Sequence, residues 1–186
     1  MKSTGSRSAD KKPKSTKNLD RYGAPEIPWS KVRALLDAGL KQRPTSGGPD
    51  RHTCWLSTVN ANGSPHTVPV GTIWLGGAFY FTSGDGTRKS KNLARDPGCS
   101  FAVATRPFDL VLEGEARKVT DKATLERVAK ALGAQGWKAE VKGGALTAEY
   151  SAPSAGPPPW YVYEMVPKTV FAFGTAAPFG AARWDF

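Results

Sequence analysis

From residue 30 onward, the spacing of apolar and polar positions divides the chain into short segments. Ser30 stands before Val32, Leu35, Leu36 and Leu40, which share one face of a helix predicted over residues 31–40 and closed by Pro44. Residues 53–59 and 65–75 read as strands on either side of Asn62-Gly63, a pair suited to the positive φ values of a tight hairpin turn. Gly76-Gly77 turns the chain again into a third strand, residues 78–82. Residues 100–104, 110–119 and 161–173 are rich in β-branched and aromatic side chains and predict three more strands, with Pro167 at an edge or bulge. Two helices interrupt them. One covers residues 87–95, between Gly84-Asp85-Gly86 and Asp96-Pro97-Gly98. The other covers residues 121–132, capped by Asp121, with Leu125, Val128, Ala129 and Leu132 on one face. Residues 142–159 are rich in Gly, Ala and Pro and predict an irregular excursion. Meandering strands with short helices between them predict a mainly β fold, a small antiparallel barrel with peripheral helices.

Composition adds limits. With 186 residues and 39% hydrophobic content the chain can bury one core, so residues 19–186 are expected to form a single domain. Residues 1–18 are polar throughout and are expected to be a disordered basic tail. Half of the net charge of +10 sits there, in Lys2, Arg7, Lys11, Lys12, Lys14 and Lys17 against Asp10. That tail has no interleaved aromatics and no attached reader motif, so a solubilising tail is favoured over a nucleic-acid arm. No stretch approaches the ~18 apolar residues of a membrane span, and residues 1–18 hold no signal-like apolar run, which predicts a cytoplasmic protein. Cys54 and Cys99 have no partners at zinc-ligand spacing and read as small buried hydrophobes rather than metal or disulfide residues.

One window carries chemistry. Residues 79–97 run from a strand ending in Thr82-Ser83, through a turn with two glycines, into a helix that starts Thr87-Arg88-Lys89. A helix N-terminus presents unpaired N–H groups and a partial positive charge, which suit an anion. Arg88 can clamp two phosphate oxygens and Lys89 can add a point charge. Cations at a helix start oppose the macrodipole unless an anion binds there. Physical reasoning alone leaves this reading level with a solvated basic helix.

The window resembles the phosphate-binding signature of the pyridoxamine 5′-phosphate oxidase-like split-barrel flavoproteins. In particular it is similar to the flavin/deazaflavin oxidoreductases, which use FMN or coenzyme F420. The resemblance extends upstream to Gly63-Ser64-Pro65-His66 and Pro69-Val70. Downstream it runs through residues 99–103 and 111–116 to the ending at residues 173–184, so it covers about residues 28–186. It implies an antiparallel split β-barrel of FMN-binding type, a homodimer with cofactor sites at the subunit interface, and a small-molecule substrate. By position, it implies that Arg88 and Lys89 bind the cofactor phosphate with the hydroxyls of Thr82, Ser83 and Thr87. Asn92 would bind the phosphate or brace the loop. His66, Pro69 and Val70 would lie along the cofactor ring, unless His66 is only a half-buried strand residue; His52 is a weaker candidate. The longer Arg- and His-rich C-terminal segment of true pyridoxamine phosphate oxidases has no counterpart here, which argues against vitamin B6 oxidation.

Between FMN and coenzyme F420 the residues do not choose firmly. The basic body leans to the deazaflavin with its anionic tail. Trp55, Trp74, Phe79, Phe81 and Phe101 are expected in the core or barrel wall, whereas Tyr150, Trp160 and Trp184, in irregular or terminal segments, are candidate substrate contacts. No metal site, catalytic triad or carboxylate pair is visible; in hydride transfer the cofactor carries the chemistry. The expected activity is hydride transfer to a small-molecule acceptor. The rivals are a flavin or deazaflavin carrier without turnover and, further off, nucleic-acid binding through the tail.

Overall fold

A computed structural model of the chain describes residues 11–40 and 53–186. Its elements are β1 (Ser15–Asn18), α1 (Trp29–Asp37), β2 (Thr53–Val59), β3 (Pro65–Leu75), β4 (Ala78–Ser83), α2 (Arg88–Arg95), β5 (Gly98–Ala104), β6 (Phe108–Lys118), α3 (Lys122–Ala134), β7 (Glu140–Lys142), β8 (Ala145–Thr147), β9 (Tyr161–Gly174) and β10 (Ala181–Asp185). Strands β9, β4, β3, β2, β5 and β6 follow one another in antiparallel order, and β6 pairs back onto β9, closing a six-stranded barrel. The fold is mainly β with three helices, as the pattern predicts.

Turn chemistry fixes the meander. Gly63 (φ 82°) closes the β2–β3 hairpin, and Gly76 and Gly77 (φ 62° and 87°) supply both positive-φ positions of the β3–β4 turn. Alternation then sorts the side chains. Cys54, Leu56, Val70, Phe79, Phe81, Phe101, Leu110, Leu112, Met165 and Val170 form the buried core with Leu36 and Val32 of α1. Strand β4 is buried on both faces, because Ala78 and Tyr80 turn outward beneath Leu125, Val128, Ala129 and Leu132 of α3. Helix α3 begins as predicted, with the Asp121 carboxylate accepting from the Thr124 N–H at 2.8 Å.

Four expectations change. The tail boundary moves, since Ser15–Asn18 pairs antiparallel with β10 as an edge strand. Its side chains stay exposed and its backbone supplies the bonds, with Lys14 N donating to Asp185 O at 2.7 Å and Leu19 N to Ala181 O at 2.7 Å. Ser30 lies inside α1 rather than capping it, and Pro28 holds the cap position. Residues 142–159 are not wholly irregular, because β7 and β8 form a hairpin through Gly143 and Gly144. Trp160 and Trp184, read as substrate contacts, are core residues. Trp184 is fully buried and packs on Trp29 (5.5 Å), and Trp160, 2% exposed, packs on Trp137 (5.7 Å). The bridge of Trp160 to Leu146 and the pairing of Trp184 with Val170 carry both rings inward, whatever the irregularity of the adjoining sequence. Residues 1–10, Pro44 and His52 lie outside the described residues.

Candidate functional site: a cleft in the fork of the sheet

Strand β3 pairs with β2 along residues 65–71 but meets β4 only from Thr72, opposite Phe81, to Leu75. Beyond that point β4 turns to β9 alone, with Thr82 opposite Val162. The sheet forks there, and no described strand covers the β4-side edge of residues 65–71. Backbone N–H and C=O groups along such an edge are open to a ligand. A cleft of about 420 Å³ occupies the fork. Pro69, Val70, Gly71 and Thr72 line one side, Thr82 and Lys89 the base, and Leu132, Gln135, Trp137, Tyr150, Ser151, Ala152, Ser154 and Ala155 the other boundary.

Lys89 is the only charged residue among the described residues lining this cleft. It is half-buried, and burial pulls its ammonium pKa below the ordinary lysine value. None of the described ion pairs involves it. A desolvated cation without a counter-charge is costly until an anion arrives. The first turn of α2 adds donors. Ser90 N–H is taken by the Thr87 hydroxyl (3.3 Å) and Lys91 N–H by Thr87 O (3.1 Å), which leaves the amides of Arg88 and Lys89 as the open pair.

The remaining predicted residues separate by role. Thr87 caps α2, and its hydroxyl joins Ser83 (2.7 Å) and Ser90 (3.2 Å), while Ser90 donates to Ser83 at 2.8 Å. Ser83 is buried inside this triangle, and its hydroxyl helps to hold the turn. Asn92 is buried too. Its amide donates to Thr58 Oγ1 (3.0 Å) and Asn60 Oδ1 (3.2 Å), tying α2 to β2 as a brace, and Asn92 also lines the depression that Arg88 faces. Arg88 does not share the cleft with Lys89. One residue advances a helix by about 100°, and Arg88 faces a neighbouring depression of about 560 Å³ with Asn60, Asn62, Lys91 and Arg95. The Gly84–Thr87 turn and Ser154–Gly156 line a third depression, which shares Ser154 and Ala155 with the main cleft. His66 lies four residues along β3 from Val70, roughly 13 Å away, outside the lining. Tyr150, by contrast, is in it.

Gly71, Thr72, Leu132, Gln135 and Trp137 were not anticipated from sequence. Trp137, just after the Gln135-Gly136 turn that closes α3, carried a usable signal, an aromatic just past a helix C-terminus. Helix α3 is held there by Leu125, Val128 and Leu132 and by Arg127, which reaches the Tyr80 hydroxyl (3.4 Å); that hydroxyl donates to Glu164 at 2.5 Å. Burial and the Glu164 carboxylate push the Tyr80 hydroxyl's pKa upward, so it stays protonated and structural. The thiols of Cys54 and Cys99 are pushed up to about 12 by burial and are inert. Among the described residues no group of His, Cys, Asp and Glu could hold a metal ion, and no helix is long and apolar enough to cross a membrane.

Comparison with known proteins bears on family and fold. Pyridoxine/pyridoxamine 5′-phosphate oxidase of Alcanivorax borkumensis is 31% identical over 134 residues, 62% of this chain and 64% of that protein, so the chain spans less than two thirds of this relative's length. Among solved structures, a pyridoxamine 5′-phosphate oxidase-related, FMN-binding protein from Nostoc punctiforme superposes with a TM-score of 0.54 at 16% identity, covering 84% of this chain and 90% of that one. PhzG from Burkholderia lata, solved with tetrahydrophenazine-1-carboxylic acid, gives 0.53 at 13% identity, covering 88% and 89%. These two likenesses establish the split-barrel fold. The sequence pattern of pyridoxamine 5′-phosphate oxidase itself matches residues 47–172, and the chain belongs to that family.

Proposed function

We propose that the chain is a flavin- or deazaflavin-dependent oxidoreductase that holds FMN or coenzyme F420 in the fork cleft and passes a hydride to a small-molecule acceptor. The observation that carries this reading is Lys89, a half-buried cation with no described carboxylate partner, at the base of a cleft otherwise lined by strand backbone, hydroxyls and aromatic rings. That donor set fits a ligand with an anionic end and a flat, weakly polar body. Lys89, the Thr82 hydroxyl and the open amides of α2 would take the phosphate. The uncovered edge of residues 69–71 would meet the polar edge of the ring, and Val70 would support its face. Arg88 would add charge from the adjoining depression.

The bound cofactor supplies the hydride chemistry. The protein's share is to fix the ring by its phosphate, keep bulk water from the ring face with Leu132, Trp137 and Tyr150, and leave one face open to the acceptor. The test is reconstitution with each cofactor, followed by reduction and addition of an acceptor. Saturable binding with reoxidation faster than in free solution supports the enzyme. Binding without accelerated reoxidation identifies a carrier, and absence of binding overturns the site.

A second copy of the chain belongs in the same reading. Pro69, Trp55, Ala102, Val111 and Phe171 are register partners across five strands and form an outward apolar row, with Trp55 49% exposed. Pro69 belongs both to this row and to the cleft, so a partner seated on the row would border the cofactor. Light scattering should give about twice 19.9 kDa, and a cofactor-binding monomer at all dilutions would contradict the dimer.

A further inference from the structure

Helix α2 holds four cations and no acid in its eight residues, and the cleft uses only Lys89 directly. Arg88, Lys91 and Arg95 lie at i, i+3 and i+7, on one exposed ridge about 10.5 Å long. A depression of about 560 Å³ runs along one flank, lined by all three cations with Asn60, Asn62 and Ser64 of the β2–β3 turn. A second, of about 570 Å³, runs along the other flank, where Lys91 is joined by Arg117 and Lys118 of β6. Among the described residues the one acid that lines either depression is Asp85, which is tied to Lys118 at 2.6 Å. The acids that adjoin in sequence are engaged as well. Asp96 accepts from the Gly98 N–H at 2.9 Å, and Glu115 is paired with Arg117 at 2.9 Å and with Lys168. None of the described ion pairs involves Arg88, Lys91 or Arg95. Like charges gathered in this way repel until an anion neutralises them.

The lining narrows the kind of anion. The amide and hydroxyl groups of Asn60, Asn62 and Ser64 suit phosphate and sugar oxygens. No exposed large apolar side chain among the described residues lines either depression, so there is no ring to stack on a nucleobase and no wedge to enter lipid. Such a face suits a phosphodiester backbone contacted without its bases. A duplex sets phosphates along both sides of a groove, with one charge per ~1.7 Å of axis, so a ridge of this length faces about six of them. Cations on the crest and on both flanks match that arrangement. We infer that the exposed face of α2 docks the phosphate backbone of a nucleic-acid duplex without reading its sequence. Lys91 stands on the crest, Arg95 on one flank, and Arg117 and Lys118 on the other. None of these four lines the cofactor cleft, and the contact does not require the basic tail.

The test is fluorescence anisotropy of a labelled DNA duplex of about 20 base pairs, titrated with the full chain at salt from about 50 to about 200 mM. The logarithm of the parent's affinity should fall with the logarithm of salt at a slope of about −3 to −4, the signature of about four neutralised phosphates. Lys91→Gln should reduce that slope by about 0.9 and weaken binding about tenfold at the lowest salt. Arg117→Gln should act in the same direction by a smaller factor, because Glu115 already shares its charge. Lys130→Gln removes an equal charge from α3, outside both depressions, and should change affinity less than about twofold, a span of ~0.4 kcal/mol. Parental affinity in Lys91→Gln would put the duplex on the tail and overturns the inference. An equal loss in Lys130→Gln, which would reduce the effect to net charge, overturns it too. So does absence of duplex binding by the parent. Displacement of the duplex by poly-L-glutamate at equal charge concentration would make the face a dock for acidic protein, and it also overturns the nucleic-acid assignment.

Discussion

Replacing Lys89 by methionine keeps the length and most of the packing of the side chain while deleting its charge, and the structure fixes two effects of opposite sign. In the unliganded protein the ammonium is half-buried without a described carboxylate partner, and burial lowers its pKa. Its removal should leave the empty fold as stable as the parent, or more so. In the liganded protein the same ammonium meets a phosphate, and a hydrogen bond to a charged group contributes about 1.5–3 kcal/mol. Loss of that contact weakens FMN binding about tenfold to about 150-fold. Linkage gives the pH signature. The folded-state pKa lies below the unfolded value of 10.5, so between the two the unfolded chain binds more protons. The burial cost is fully present below the folded pKa and is relieved as pH rises through it, so apo stability gains from this group on the alkaline side. FMN affinity runs the other way, falling as the ammonium deprotonates. The methionine variant should show neither trend at this site. Calorimetric titration and urea unfolding from pH 7 to 10.5 measure both. Parental FMN affinity in Lys89→Met, or a clearly destabilised empty variant, would refute the reasoning.

Two further substitutions probe the frame that holds the cleft. A Cβ added at Gly114 would overlap the Val166 carbonyl oxygen and come within 3.2 Å of Pro167 Cα, where β9 bulges at the barrel-closing seam. Backbone cannot yield as a side chain can, so Gly114→Ala should cost at least about 1–3 kcal/mol, read as a lower urea midpoint at unchanged slope; a midpoint within error of the parent's would contradict this. Asn92→Asp keeps shape but cannot donate to Asn60 Oδ1, and it sets a carboxylate among buried oxygens. It should lose about 1–3 kcal/mol of stability and some cofactor affinity, whereas a purely phosphate-binding Asn92 would leave apo stability untouched.

How much of this was legible in the sequence differs from element to element. The β2–β3–β4 meander was readable because Asn62-Gly63 and Gly76-Gly77 meet the backbone demands of tight turns, and α3 because its apolar spacing and Asp121 cap agree. Strand β1 was not, since a polar edge strand held by backbone pairing leaves no mark in hydrophobic pattern. Lys89 and Arg88 look equivalent as neighbours in a basic run, and only the rotation of α2 sends them into separate depressions. Ser83, Asn92, Trp160 and Trp184 were chosen by residue type and position. Their burial depends on long-range pairing, which single-residue chemistry does not encode. The fork itself lies in where β3 stops pairing with β4, a register property that composition does not show.

The central claim is that the cleft recognises a flavin-like ligand through its phosphate at Lys89. FMN and riboflavin differ only in that phosphate, so titration of the parent protein with the two, side by side at low salt, isolates it. FMN should bind at least about tenfold more tightly than riboflavin, the equivalent of about 1.4 kcal/mol from the phosphate. Equal affinity for the two would contradict it.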